Sequence, residues 1–149
     1  MDEARCWFCH DEVRGDQPPG GWLIDDGVWR AGHAPASYAI PGTVILESRR
    51  HVLDQSGFDA RERATVADVT GRLLNAIRAA TACDRVYQWA TMDAYPHFHT
   101  WLVPWWARGG LRGPRYLTAT LVDVEAADPD LVLATAHRVA AALPAAVTS

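Results

Sequence analysis

The sequence predicts an α+β fold with a mostly antiparallel sheet, and three features carry that reading. Short runs rich in β-branched and aromatic residues lie close together early in the chain. A long stretch with apolar residues at helical spacing follows them. Two more strand-like runs come next, and a second helical stretch closes the chain. Strands grouped in sequence, with one long helix between the groups, belong to the α+β class.

The first twenty residues read as irregular, ending in the breaker-rich loop Gln17-Pro18-Pro19-Gly20-Gly21. Trp22-Leu23-Ile24 and Val28-Trp29-Arg30-Ala31 flank the turn signal Asp25-Asp26-Gly27, which predicts a hairpin. Pro41-Gly42 marks another turn, and Thr43-Val44-Ile45-Leu46-Glu47 reads as a central strand. Asp59 and Glu62 have the spacing of a capping box. Behind them Val66, Val69, Leu73 and Ile77 recur on one helical face, and Asp68 and Arg72 can pair on the other. The helix is expected over 59–82. Strands are expected over 86–91 and 98–104. Residues 108–115 read as a flexible loop, and 116–122 as a further strand. Asp128-Pro129 caps a final helix with Val132, Ala136, Val139 and Leu143 on its apolar face, and Pro144 ends it.

A chain of 149 residues, 49% hydrophobic and 21% charged, fits one domain over 1–149 with a sizeable core. No window approaches the roughly 20 apolar residues of a membrane span. The acidic start, Met1-Asp2-Glu3, argues against a secretory signal and for a cytoplasmic protein. A net charge of −4 argues against a nucleic-acid binder. Every basic residue is arginine, so neither a Schiff-base lysine nor a P-loop lysine exists.

Three cysteines do not make a disulfide framework. Cys83 lies among apolar residues and reads as a small core residue. Cys6 and Cys9 form a C-x-x-C pair, which fits half a zinc site or a redox pair. On a strand, His97, His99 and Trp101 face the same side, with the two histidine Cα atoms about 6.7 Å apart. Phe98, Thr100 and Leu102 face the other side, toward the helix. Together Cys6, Cys9, His51 and His97 make a Cys₂His₂ set of the kind zinc takes tetrahedrally. His10, His33 and His137 have no evident partners and read as surface residues.

Three segments resemble the histidine-triad (HIT) superfamily. They are Cys6-x-x-Cys9, Val44-Ile45-Leu46-Glu47-Ser48-Arg49-Arg50-His51-Val52, and Pro96-His97-Phe98-His99-Thr100-Trp101-Leu102-Val103-Pro104. The last is similar to the family's H-x-H-x-H signature, with Trp101 in place of the third histidine. The glycine- and glutamine-containing stretch that usually precedes the triad is absent. The galactose-phosphate uridylyltransferase branch has glutamine at the third position and remains active, so the replacement does not itself imply an inactive protein. Tryptophan, however, has one N–H donor and cannot accept or shuttle a proton.

The resemblance implies a five-stranded antiparallel sheet with a long helix and a C-terminal helix, often in a homodimer. It implies structural zinc on Cys6, Cys9, His51 and His97. It also implies His99 as the nucleophile toward a nucleotide α-phosphate, in a nucleotide or dinucleoside polyphosphate substrate. A backbone carbonyl near His97 is expected to hold one nitrogen of that imidazole and free the other. Arg49, Arg50, Arg108, Arg112 and Arg115 are the candidate phosphate-binding cations, with the Gly109-Gly110 and Gly113 amides beside them. Trp101 is a candidate substrate contact, and Trp101, Trp105 and Trp106 could stack on a base or fill core and dimer interface. A non-catalytic, zinc-stabilised nucleotide-binding or interaction protein is the alternative.

Overall fold

The computed structural model describes residues 3–146. A single helical turn, α1 (Asp11–Arg14), precedes strands β1 (Trp22–Asp25), β2 (Trp29–His33) and β3 (Val44–Ser48). Helix α2 (Ala60–Thr81), strands β4 (Arg85–Trp89) and β5 (His99–Trp105), and helices α3 (Gly113–Leu121) and α4 (Pro129–Ala142) complete the order. The five strands form one sheet in the order β1-β2-β3-β5-β4, with every pairing antiparallel. The strand expected at the centre, β3, is there.

The β1–β2 hairpin closes where expected. Asp26 Oδ1 accepts from the backbone N–H of Val28 and Trp29 at 2.9 and 2.8 Å, and Gly27 supplies a φ of 86°. Alternation along the strands then sorts side chains between two faces. Trp29, Val44, Leu46, Phe98 and Leu102 pack against Val69, Leu73, Ala76 and Ile77 of α2 and Val139 of α4. The opposite face holds a smaller cluster, in which Cys6 and Phe8 from the N-terminal segment meet Ile45, with Trp101 beside them. β3 is buried along its whole length because both of its faces are covered.

Helix α2 starts at the expected capping box. Asp59 Oδ1 accepts from the Glu62 N–H at 2.9 Å, and Glu62 Oε2 accepts from the Asp59 N–H at 2.8 Å. Asp68 and Arg72 pair at 3.9 Å on its outer side. Losing the cap typically costs about 1 kcal/mol. Asp59→Ala should therefore lower the free energy of urea unfolding by about that amount with an unchanged m-value.

Two expectations are corrected. Residues 116–122 are not a strand; Tyr116 to Leu121 belong to α3. Pro114 lies in the first turn, where its fixed φ favours a helix. The Thr118 and Thr120 hydroxyls donate to carbonyls four residues back, absorbing the β-branched residues into the helix. Tyr116 bonds the Pro104 carbonyl and so docks α3 on β5. His33 is not a surface residue but is buried: its Nδ1 donates to the Ala34 carbonyl at 2.7 Å, and its Nε2 accepts from the Gly42 N–H at 2.7 Å. Gly42, with φ at 94°, makes the turn that brings that N–H to the ring. His137 is exposed and Cys83 is buried, as expected.

Among the described residues no helix is long and apolar enough to cross a membrane. Of the seven tryptophans, Trp29 and Trp105 are buried and the other five are half-buried.

Candidate active site and metal centre

The N-terminal segment turns at Cys6-Trp7-Phe8-Cys9, where the Cys9 and His10 N–H groups both donate to the Cys6 carbonyl, at 3.2 and 3.3 Å. That turn presents both thiols to the sheet. His51 follows the end of β3, and His97 precedes β5, so two adjacent antiparallel strands deliver the two imidazoles to one end of the sheet. The structure brings together all four residues expected to hold zinc, with their ligand atoms within 4.8 Å of one another.

The spacing fits a tetrahedral ion. Metal–nitrogen and metal–sulfur bonds of about 2.0 and 2.3 Å imply edges of about 3.3 Å between nitrogens and about 3.5 Å between nitrogen and sulfur. The His51 and His97 Nδ1 atoms are 3.3 Å apart. Cys9 Sγ lies 3.3 Å from His51 Nδ1 and 3.4 Å from His97 Nδ1, and Cys6 Sγ lies 3.5 Å from His97 Nδ1. The imidazole protonation fits as well. His97 Nε2 donates to the Ser48 carbonyl at 2.7 Å, which leaves the Nδ1 lone pair for the centre. Burial lowers the His97 pKa to about 4, keeping the ring neutral. Burial, a bond to Cys6 and nearby negative charge push the Cys9 thiol up to about 12. The donor set fits a thiophilic dication.

His99 sits two residues beyond His97 and is only 7% exposed. Its Nδ1 donates to the His97 carbonyl at 2.7 Å, so the expected backbone hold is present and Nε2 keeps its lone pair. Burial lowers the His99 pKa, opposed by that backbone bond and by Asp93. Phe8, carried between the two cysteines, stacks on His99 with ring centroids 4.5 Å apart. A cavity of about 440 Å³ opens beside His99, walled by Trp7, Phe8, Tyr38, Tyr95 and Trp101. A second, of about 460 Å³, shares Trp7, Tyr38 and Ile45 with it and reaches Arg14 and Trp22.

None of the arginines expected to bind phosphate lines either cavity. Arg49 pairs with Asp25 at 3.4 Å, and Arg50 makes a two-pronged bond to Glu62 at 2.8 Å on each side. Arg112 lies over the Trp105 ring, 5.3 Å from its centroid. Arg108 and Arg115 are exposed. The cation that does face the larger cavity is Arg14, which sequence reasoning missed. Its guanidinium packs 4.2 Å from the Trp7 ring centroid and 4.6 Å from that of Trp22, and it pairs with Glu47, the cross-strand neighbour of His99. The one signal for it in the sequence is Glu47 itself, a carboxylate in an otherwise apolar central strand that needs a cation to be buried.

The Arg14 and Glu47 side chains are 5% and 2% exposed. Removing one member of such a pair strands the other and costs about 3–5 kcal/mol. Burial lifts the Glu47 carboxyl from 4.5 to about 7 against the pull of Arg14. Across that interval the folded chain holds a proton that the unfolded chain has released. The Glu47 contribution to stability is thus full below 4.5 and lost as the pH rises through about 7. Arg14→Ala should be least costly at the acid end, where Glu47 can stay neutral, and most costly above neutrality. Replacing Arg14 with Met and Glu47 with Leu together should recover most of the loss. Urea unfolding of wild type, the single variant and the double variant across this range measures both effects.

No protein-family model and no curated protein matches the sequence. Solved structures do match. A histidine triad protein from Bradyrhizobium japonicum superposes with a TM-score of 0.71 at 18% identity, over 90% of this chain and 96% of that one. A zinc-bound histidine triad family protein from Mycobacterium smegmatis gives 0.63 at 21% identity, over 95% and 94%. A Hit-like protein from Bartonella henselae gives 0.64 at 15% identity, over 89% and 92%. The chain has the histidine-triad fold.

Proposed function

We propose that the protein is a nucleotidyl hydrolase or transferase that attacks the α-phosphate of a nucleotide through His99. One observation carries this reading: the His99 ring is held by the His97 carbonyl through Nδ1 and stays neutral, so Nε2 offers its lone pair to the cavity. Attack forms the phosphorus–Nε2 bond as the bond to the leaving group breaks and that group takes the electron pair. Water or an acceptor then releases the nucleotidyl group.

His97 does not compete for this role, because one nitrogen is bound to Ser48 and the other faces the thiols. A zinc ion held by Cys6, Cys9, His51 and His97 would supply folding energy and fix the segment that carries Phe8 onto His99. Arg14 lines the adjoining cavity with its guanidinium paired to Glu47, so an anionic group there would share it with that carboxylate. Trp101 is half-buried in the cavity wall and can donate one hydrogen bond, but it cannot protonate a leaving group. The substrates turned over fastest should be those whose leaving group departs as a stable anion. Trp101→His should raise the rate for poorer leaving groups, provided the smaller ring keeps the cavity closed.

Dinucleoside polyphosphates, nucleoside phosphoramidates and nucleotidyl aryl esters are the compounds to screen, with release of the nucleoside monophosphate as the readout. Turnover of any of them supports the enzyme. Nucleotide binding with no turnover supports the second reading, a non-catalytic nucleotide-binding or interaction protein, which Trp101 and the cation-free walls of the His99 cavity favour. The family tendency and the tryptophan count also support a homodimer; light scattering at micromolar concentration should report twice the chain mass.

A further inference from the structure

Release of a nucleotidyl group from His99 needs a proton acceptor for the attacking water, and Trp101 cannot be one. His99 cannot serve either while its Nε2 is bonded to phosphorus and its Nδ1–H is held by the His97 carbonyl. Tyr38 and Tyr95 also stand in the cavity wall, each with a hydroxyl rather than a carboxylate, and burial pushes the Tyr38 phenol up. One carboxylate lies in an adjoining cavity that shares Tyr95, His99, Trp101 and Leu121 with the first. Asp93 lines a cavity of about 240 Å³ together with His99, Trp89, Tyr95 and Trp101.

The loop presents that carboxylate in a defined way. Asp93 Oδ1 accepts from the Thr91 hydroxyl at 2.6 Å and from the Ala94 N–H at 2.9 Å. Both bonds fall on Oδ1, which leaves Oδ2 available for a water molecule. Met92, the preceding residue, has a φ of 54°, a left-handed conformation that an unbranched side chain adopts only at a cost. The Thr91 bond, followed by the Ala94 N–H, holds Asp93 ionised below the usual carboxylate range, a weak base that passes on any proton it takes.

We infer that Asp93 is the general base that activates water for release of the nucleotidyl group from His99. This rests on the nucleophilic role proposed for His99. In the step, water oxygen forms a bond to phosphorus while the phosphorus–Nε2 bond breaks and its electron pair returns to Nε2. One water proton passes to Asp93 and from there to solvent. The other stays on the nucleoside monophosphate, and His99 returns to its neutral form with Nδ1–H in place. Asp93 takes over the proton handling that Trp101 lacks.

The test uses the full chain and the p-nitrophenyl ester of a nucleoside monophosphate, whose leaving group departs without a proton. Asp93 is exposed, so its replacement leaves the core untouched. With Asp93→Asn, a nitrophenolate burst of one equivalent per site should persist while the steady-state rate falls about 100-fold. Protein quenched during turnover should then carry the nucleotidyl mass on His99 at near-full occupancy, and Asp93→Glu should recover part of the rate. A steady-state rate for Asp93→Asn within about twofold of wild type overturns the inference. So does equal loss of burst and steady state, which marks a residue needed for the site's shape rather than for release. If neither wild type nor Asp93→Asn ever carries a nucleotidyl group while nitrophenolate is released, the nucleophile reading itself fails and this inference with it.

Discussion

His99→Ala protein should turn over nucleotidyl esters about 10⁴-fold or more below wild type while keeping its full metal content. The size follows from what is removed. Loss of a covalent nucleophile typically leaves only the catalysis that binding and fixed dipoles provide. The selectivity follows from geometry. His99 contributes no atom to the Cys6, Cys9, His51 and His97 cluster, and its Nδ1 bond runs to a backbone carbonyl that the variant retains. His97→Ala should show the reverse order of events. It removes a buried ring that touches both thiols and His51, so metal and folded structure go first and activity follows them. Turnover, metal content and circular dichroism on the two variants separate a chemical role from a structural one.

Cys9→Ser protein should lose its metal and most of its stability. The apparent binding energy of a structural Cys/His zinc site is about 10 kcal/mol or more near neutral pH, comparable to the 5–15 kcal/mol that keeps a whole domain folded. Part of that energy comes back when the sheet folds without the metal, because the main core lies on the opposite face under α2 and α4. The N-terminal segment has less to hold it. Its anchors include the four-ligand cluster, the Phe8 stack on His97 and His99, and the Arg14–Glu47 and Asp11–Arg30 pairs. Cys83→Ser serves as the control, because it buries one hydroxyl in the core and should cost about 1–3 kcal/mol with no change in metal. Equal losses for the two variants would contradict the metal assignment.

Much of the fold was legible because it is written in local pattern. The Asp59–Glu62 box, the Asp25-Asp26-Gly27 turn and the alternation of Phe98, Thr100 and Leu102 against His97, His99 and Trp101 each depend on neighbours a few residues away. The region 116–122 resembles a strand because Tyr116, Thr118 and Thr120 have strand propensity, whereas Pro114 and the Tyr116 bond to Pro104 set the outcome. The Cys6, Cys9, His51 and His97 cluster was legible from residue types. The Arg14–Glu47 pair, the buried His33 and the approach of Asp93 to His99 were not, since each joins segments far apart in the chain or depends on a loop conformation. Of the five arginines near the motifs, Arg49, Arg50 and Arg112 are held by Asp25, Glu62 and Trp105, and Arg108 and Arg115 are exposed.

The most direct measurement is the mass of the peptide containing residues 97–99 after wild-type protein is rapidly quenched during turnover of a nucleotidyl ester. The account predicts an added nucleotidyl group on His99 and an unmodified His97, with the adduct lost as the nucleoside monophosphate appears. Product formed at the same rate with His99 unmodified at every quench time, or with the group on another residue, would contradict it.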